Sequence, residues 1–398
     1  MAYQLRAEAP EVAPSILVDT KIDYRVLIPR LRNLVLGHYE FDSKKTLPCR
    51  SFCSDETQMV IADLLSSYFG ARPFNFGRVG ALLALDRSPA AAHHGKNLVI
   101  VSAAHVGYDP NASNSAEQYG RIFRPQMDCS VDDDHSHSSC CGKIVGTITP
   151  FKESYDRTSQ DKLHLIKKEV GGTEKYCIVI NNSRLAPFND DKILELHLEK
   201  LLKFKNDSPV EIDREANSII YEANPGFVED IGEENFLADK PTPIGKNLTG
   251  KYFDFRREVI KENEDGSHLI LKGLLPYMNR VVTSDIPSFE AARIVSWGEF
   301  GKAVNAFGHH TSELDLGERS IFLISGINLD YFDHEAAKIN PLAGNQVYFI
   351  PMAAYVKNID DPNHPDGQVL EREELLDLLL KQEATAERFS LDEVLELG

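Results

Sequence analysis

The chain has 398 residues, of which 42% are hydrophobic, enough for a large buried core and for more than one domain. Its net charge of -18 argues against binding nucleic acid or an anionic membrane, because both are themselves negative. No run approaches the roughly 18 apolar residues of a membrane-spanning helix, and residues 1–14 lack the basic and apolar regions of a secretory signal. We therefore expect a cytoplasmic protein with reduced thiols.

The first predicted elements are a helix and then a strand followed by a helix. Residues 20–38 have the spacing of an amphipathic helix, in which Pro29 would produce a kink or a break. In SFCSDETQMVIADLLSSYFG, strand-like residues lead to Cys53, and the apolar positions after it have helical spacing. Asp55 or the serine before it would cap this helix, and Gly70 would end it.

A second predicted strand leads to a histidine. Residues 97–101, NLVIV, form a short apolar, β-branched run that is typical of a buried parallel strand. Small residues follow, and then His105. Because ligands bind at the carboxyl ends of strands in open α/β sheets, His105 occupies the place expected for a site. In the preceding glycine-rich stretch, Gly77 and Gly80 would let the backbone approach that site closely.

Three separated stretches each supply a good zinc ligand. They end in Cys53, in His105 and in the adjacent pair Cys140 and Cys141. Thiolate, imidazole and thiolate suit Zn²⁺, which prefers four ligands, so that a fourth position stays open for chemistry. Asp55 lies two residues after the first cysteine. It could bind the zinc at the fourth position or interact with a water molecule bound there. The residues alone leave open which of the two adjacent cysteines is the ligand.

Further elements are predicted along the remaining chain. Residues 156–169 and 190–205 have helical spacing, and KYCIVIN is typical of a buried strand. Residues 207–315 predict an insertion with strands at NSIIYEA and HLILKGLL and a helix at SFEAARIVSWGEFGKAVNAF. SIFLIS and QVYFIPM predict two more strands. The acidic tail predicts amphipathic helices, one of which has capping-box spacing at Ser390 and Glu393.

Several short motifs occur in a characteristic order. CSDE, FGRVGALLALD, AAHVGYD, GRIFRP and CCG follow one another in the first part of the chain, and RSIFLISGINLDYFD and NQVYFIPMAAYVKN follow in the C-terminal half. In this order they resemble the limiting CO2-inducible protein B family, the theta-class, β-like carbonic anhydrases. The resemblance covers about half of the chain, in two blocks.

The resemblance implies a zinc site held by Cys53, His105 and Cys141. The family's ligand cysteine precedes a glycine, as Cys141 precedes Gly142, whereas Cys140 does not. The polar stretch DCSVDDDHSHSS makes the link between the histidine and these cysteines longer than the family pattern suggests.

The resemblance also implies a catalytic pair of an aspartate and an arginine. Asp55 is the expected acid, but the arginine that classical β-type enzymes place two residues later is replaced by Thr57. We expect Arg124 in GRIFRP to pair with Asp55, and Arg78 is the second choice. Such a pair would hold the carboxylate ionised and off the metal.

The implied fold is α/β, a mostly parallel β-carbonic-anhydrase-like sheet flanked by helices, with a large insertion of mixed α+β character. The expected domains are a zinc domain at residues 1–206 with 316–360, the insertion at 207–315, and acidic C-terminal helices at 361–398. The implied function is reversible hydration of CO2 to bicarbonate by zinc-bound hydroxide. The implied assembly is a homodimer.

Two other functions fit the same ligands. A zinc hydrolase would use the same nucleophile on an ester, an amide or a lactone, with the insertion reshaping the pocket. A catalytically silent, zinc-folded subunit would act in inorganic-carbon handling, and a lost aspartate–arginine pair would favour it. A narrow apolar pocket favours the carbonic anhydrase, and a deep polar pocket favours the hydrolase.

Overall fold

The structure is a computed structural model. It describes residues 19–53, 56–87, 97–120, 144–149, 151–152, 163–181, 205, 208–215, 218–238, 241–243, 267–308, 319–340, 344–390 and 393–394. Among these residues no helix is long and apolar enough to cross a membrane.

The described strands, numbered in chain order, are β1 (Ile22–Asp23), β2 (Thr46–Ser51), β3 (Phe74–Asn75), β4 (Asn97–Tyr108), β5 (Leu163–Val170), β6 (Thr173–Asn181), β7 (Glu211–Asp213), β8 (Ser218–Glu222), β9 (Thr242–Pro243), β10 (Ser320–Phe332), β11 (Asn345–Lys357) and β12 (Gln368–Glu371). The described α-helices are α1 (Tyr24–Asn33), α2 (Met59–Phe69), α3 (Ser115–Gln118), α4 (Pro225–Ile231), α5 (Ser267–Leu274), α6 (Met278–Thr283), α7 (Pro287–Gly308), α8 (His334–Ile339) and α9 (Arg372–Leu380).

The described residues fall into two compact units. Unit 1 takes its residues from Met1–Val145, Asn263–Gly273 and Ser288–Gly398, and unit 2 from Gly146–Glu262 and Leu274–Pro287. The division predicted from the sequence, with an insertion at 207–315, stays a prediction, because compact packing does not by itself show which segments fold independently.

Unit 1 contains a seven-stranded, mostly parallel sheet. The strand order is β1-β11-β10-β4-β2-β3, and β12 pairs with β11. Strands β10, β4, β2 and β3 pair in parallel, and only β11 runs against the direction of the others. The predicted fold class is confirmed, and so are the strands predicted at NLVIV, SIFLIS and QVYFIPM.

Both faces of this sheet are covered, which explains why its central strands are almost continuously apolar. Side chains alternate between the faces, so that Val99 and Val101 of β4 join the core that includes α1, α2 and α9. Leu98 and Ile100 of the same strand pack in the core that includes α7 on the opposite face. The functional side chains described below lie on the first of these faces.

Helix α1 confirms the helix predicted at residues 20–38. Asp23 caps it by accepting a hydrogen bond from the Arg25 backbone N–H, and Pro29 is buried inside the helix without ending it. A π-helical turn, Leu34–His38, continues the helix. Helix α2 ends at Gly70, which has a φ of 69°, as the sequence predicted.

Unit 2 contains a five-stranded antiparallel sheet, in the order β7-β8-β6-β5-β9. KYCIVIN is a strand, as predicted, but it belongs to this sheet as β6 and not to the parallel sheet. The helix predicted at 156–169 is wrong for its described part, which is strand β5. Gly171 and Gly172 both have positive φ and form the two-residue turn between β5 and β6. A Gly-Gly pair is typical of a two-residue hairpin turn, and it is the feature of the sequence that predicts two paired strands here instead of a helix.

One short apolar run was assigned the wrong element. HLILKGLL was predicted as a strand, but the structure places it in helix α5. Ile270 and Leu274 are four residues apart and both fully buried, which is the helical spacing of a core-facing stripe. Runs of this length satisfy a helix and a strand equally well, so periodicity alone does not separate them.

The C-terminal helices are confirmed where they are described. LEREELLDLLLKQ contains α9, which is preceded by the short strand β12. The capping box is present: the Ser390 backbone N–H donates to Glu393 Oε2 at 2.6 Å, and the Glu393 N–H donates to Ser390 Oγ at 3.2 Å. The helix predicted at 190–205 lies outside the described residues, apart from residue 205.

Candidate metal centre

Cys53 lies two residues beyond the end of β2, as the sequence predicted, and is 3% exposed. It is disulfide-bonded, and its partner lies outside the described residues. A Cβ atom at Gly77 would lie 2.0 Å from the Phe52 carbonyl oxygen. The predicted close backbone approach at Gly77 is therefore present, directly beside the cysteine.

His105 lies inside β4, three residues before the strand ends at Tyr108, and is 1% exposed. The strand was expected to end at the histidine. It continues because β10 pairs with it in parallel as far as Tyr108. The imidazole therefore projects from a paired strand and not from a loop, which fixes its backbone position.

A buried carboxylate holds one nitrogen of the His105 ring. In the register of the two strands Asn328 lies opposite His105, and Asp330 lies opposite Gly107. The side chains of His105, Asn328 and Asp330 therefore project from the same face of the sheet. Gly107, the fourth residue of the two pairs, has no side chain. Asp330 Oδ2 lies 2.6 Å from His105 Nδ1. Because an ionised carboxylate only accepts, Nδ1 donates in this hydrogen bond.

Gln58 connects this pair to further buried polar groups. Its Nε2 donates to Asp330 Oδ1 at 2.8 Å and to Thr57 Oγ1 at 3.0 Å, and lies 3.4 Å from His105 Nδ1. Gln58 belongs to the 3-10 turn Glu56–Gln58, which follows Cys53 by a few residues. The turn therefore brings the segment of the cysteine to the histidine.

The connected groups continue to the first helix. Asn328 Nδ2 donates to Gln58 Oε1 at 2.6 Å, and the Tyr24 hydroxyl donates to Asn328 Oδ1 at 2.5 Å. Burial raises the pKa of Tyr24 well above its ordinary value, and the charge of Asp330 adds to the shift. The tyrosine therefore stays protonated, and its O–H is the donor of the hydrogen bond to Asn328.

Asp330, Asn328, Gln58 and Tyr24 were missed by sequence reasoning. A signal was present for two of them, because SIFLISGINLDYF carries an asparagine and an aspartate at alternate positions of an otherwise apolar strand. Buried polar residues on one face of a strand need partners on neighbouring elements. The partners of Asn328 and Asp330, which are Gln58 and His105, could not be identified without knowing which strands pair.

The other predicted site residues stand as follows. Asp55, Arg124, Cys140 and Cys141 lie outside the described residues. Arg78 forms a surface ion pair with Asp86 at 2.7 Å, with both side chains largely exposed to solvent. Within the described part of the chain no group of three or more His, Cys, Asp and Glu side chains is placed to hold a metal.

The His105 imidazole nevertheless fits a zinc site. Metal-binding histidines commonly donate their second ring N–H to a carboxylate, which orients the ring and raises the basicity of the other nitrogen. Asp330 does this at Nδ1 of His105, so that Nε2 is the nitrogen that would bind a metal. Cys49, by contrast, is a free buried thiol whose pKa is raised by burial, and it is unsuited to act as a thiolate ligand.

Residues 28–170 match the model of the limiting CO2-inducible proteins B/C, beta carbonic anhydrases. The resemblance seen in the sequence is confirmed over this range, which includes Cys53 and His105 but not Asp330. No curated protein matches the chain.

Two solved structures illustrate the structural likeness. A mutant of PtLCIB4, described as a homolog of the limiting CO2-inducible protein LCIB, is 12% identical with a TM-score of 0.47, over 90% of this chain and 95% of the other. LCIB itself is 12% identical with a TM-score of 0.39, over 86% of this chain and 92% of the other.

Proposed function

We propose that the protein is a zinc-dependent carbonic anhydrase that reversibly hydrates CO2 to bicarbonate. The observation that carries the proposal is the buried pair of His105 and Asp330, which presents one imidazole nitrogen in the form a metal requires. The family match over residues 28–170 supports a carbonic-anhydrase-type role.

We propose Cys53, His105 and Cys141 as the zinc ligands. When bound, zinc supplies a water of lowered pKa, which is a nucleophile near neutral pH. Two thiolates and a neutral imidazole would balance the charge of the ion.

The protein side chains have separate tasks in this reaction. Asp330 holds the His105 ring in one orientation and one tautomer. Asp55 accepts a hydrogen bond from the attacking water, so that the water's lone pair faces CO2. Arg124 pairs with Asp55 and keeps it ionised. The overall reaction would convert CO2 and water to bicarbonate and one proton, and solvent would take up the proton.

The test is CO2 hydration by stopped flow on reduced, zinc-loaded protein, together with the zinc content of matched cysteine variants. The wild type should hold about one zinc per chain. Cys53→Ala should lose it, whereas Cys49→Ala removes a buried thiol four residues earlier and should keep it. Asp55→Ala should keep zinc but lose CO2 hydration by about 100-fold.

The outcomes separate the candidate functions. Full zinc content in Cys53→Ala would contradict the ligand assignment. Zinc in place without CO2 hydration would support a silent subunit, and hydrolysis of an ester or lactone instead of CO2 hydration would support the hydrolase. If Cys140→Ala loses zinc and Cys141→Ala does not, the third ligand is Cys140.

A further inference from the structure

The His105–Asp330 pair is one end of a continuous buried chain of hydrogen bonds. From the other end, Tyr24 donates to Asn328, Asn328 donates to Gln58, Gln58 donates to Asp330, and His105 donates to the same carboxylate. The five residues come from α1, the turn after Cys53, β4 and β10. Their side chains meet although they are far apart in sequence.

Each donor and acceptor in this chain is determined by its neighbours. Asp330 only accepts, so Gln58 must turn its NH₂ toward it. The Gln58 carbonyl then faces Asn328, which must turn its own NH₂ toward Gln58, and the Asn328 carbonyl faces the tyrosine O–H. Reversing either amide would place two acceptors or two donors together in a buried site, which is costly.

Gln58 is also close enough to His105 to stabilise the wrong tautomer. Its Nε2 lies 3.4 Å from Nδ1, whereas Asp330 lies 2.6 Å from the same atom. With both of its hydrogens directed to Asp330 and Thr57, Gln58 leaves the Nδ1 proton to the carboxylate. If the amide reversed, its carbonyl would face the Asp330 carboxylate, and the repulsion between the two acceptors would move the carboxylate away from Nδ1.

We propose that Tyr24, Asn328 and Gln58 are positioning residues that hold Asp330 against Nδ1 and so fix His105 in the tautomer that binds metal through Nε2. This inference rests on the proposed function for its metal, but the tautomer exists without the metal and can be measured without it. The residues act through His105 and touch neither substrate nor zinc.

The decisive test exchanges the asparagine at position 328 and the aspartate at position 330 of β10. In Asn328→Asp the residue can no longer donate to Gln58, which must reverse and turn its carbonyl toward the Asp330 carboxylate. Adding Asp330→Asn supplies an NH₂ for that reversed carbonyl and still offers an oxygen to Nδ1. The double variant has the same composition and charge as the wild type and a complete set of hydrogen bonds.

We expect Asn328→Asp to weaken zinc binding by about 10- to 100-fold and the double variant to recover most of that loss. In reduced, zinc-free protein, NMR of the His105 ring should show an Nδ1–H with the far-downfield ¹H shift of a short hydrogen bond in the wild type and the double variant, and with a smaller shift in Asn328→Asp, because the carboxylate is displaced. A double variant that binds no better than Asn328→Asp, or an Nε2–H ring in the wild type, would overturn the proposal. If the wild type binds no zinc but shows the Nδ1–H form, the proposed function fails and the positioning role stands.

A second pair of variants covers the case in which the charged variants do not fold. Tyr24→Phe in α1 and Tyr355→Phe in β11 each remove one hydroxyl from a tyrosine that is 2% exposed, and Tyr355 donates to the Asp366 carbonyl instead. Tyr24→Phe should weaken zinc binding several-fold and change the His105 ring signals, while Tyr355→Phe should do neither. Equal effects of the two variants would reduce Tyr24 to a packing role and contradict the proposal.

Discussion

At the scale of single residues, the site depends on an aspartate that is far from any zinc ligand in sequence. Asp330 lies opposite Gly107 in the register of β10 and β4, and its Oδ2 lies 2.6 Å from His105 Nδ1. Its carboxylate is almost fully buried, and the hydrogen bonds from His105 and Gln58 offset its cost of desolvation. A residue kept under these conditions has a specific role in the site.

Asp330→Ala should weaken zinc binding by about 10- to 100-fold, because His105 loses the group that fixes its ring. Competition with a chelator of known affinity measures the effect. Asp333→Ala is the control, since the Asp333 carboxylate accepts from the backbone N–H groups of Glu335 and Ala336 at the start of α8 and not from His105. Equal zinc affinity in the two variants would show that Asp330 does not support the metal.

The state of Cys53 should determine zinc uptake. A disulfide-bonded sulfur is not a thiolate, and zinc requires the thiolate. Protein purified without reductant should therefore take up little zinc, and treatment with dithiothreitol should restore about one zinc per chain. Zinc content by atomic absorption before and after reduction checks this, and equal content in both samples would contradict it.

At the scale of elements, the loop after β3 packs on the segment that carries Cys53. Gly77 permits this approach, since any side chain there would collide with the main chain at Phe52. Gly77→Ala should therefore cost about 3 kcal/mol of stability and displace Cys53 from the position in which we propose that it binds zinc.

Gly37→Ala is the matched control for this prediction, because nothing lies within 4 Å of a Cβ atom at that glycine. Urea denaturation and zinc content of the two variants provide the measurement. A Gly77→Ala protein as stable as Gly37→Ala would show that the loop can move away without cost.

Much of the parallel sheet could be predicted from sequence, and much of the site could not. NLVIV and SIFLIS are apolar on both faces, which directly indicates buried parallel strands. Cys53 and His105 follow from residue chemistry near those strands. Asp330 and Gln58 depend on which strands are neighbours and in what register, and this information is not local. The β5–β6 hairpin was missed because helical spacing was given more weight than its Gly-Gly turn.

At the scale of the whole molecule, buried tyrosines link stability to alkaline pH. Burial raises the pKa of Tyr39 and of Tyr119 to about 12 and that of Tyr24 well above its ordinary value. Above pH 10 the unfolded chain loses these protons while the folded protein keeps them, so the free energy of unfolding falls with rising pH.

Tyr24 alone should contribute a slope that steepens above pH 10 toward about -1.4 kcal/mol per pH unit as the unfolded chain becomes fully ionised. Urea denaturation at pH 8, 9, 10 and 11 measures this, with tyrosinate absorbance as the monitor of ionisation. A tyrosine that ionises near its ordinary pKa in the folded protein would contradict the prediction. Tyr24→Phe should reduce the slope.

We also propose that the protein is a homodimer, as the resemblance to β-type carbonic anhydrases implies. Light scattering during size-exclusion chromatography at micromolar concentration should give twice the chain mass of 44.6 kDa. A single-chain mass at that concentration would exclude the dimer.

The parallel pairing of β4 with β10 also affects how the protein is made. Tyr108 and Phe332 are 224 residues apart, so at ~5–20 residues per second a ribosome needs roughly 10 to 45 s to deliver the partner of β4. During that time the backbone N–H and C=O groups along one edge of β4 lack their native partner strand. Asp330 has not yet been synthesised. Nascent chains arrested before residue 320 should therefore bind chaperones and hold His105 without its carboxylate, so metal acquisition should follow release from the ribosome.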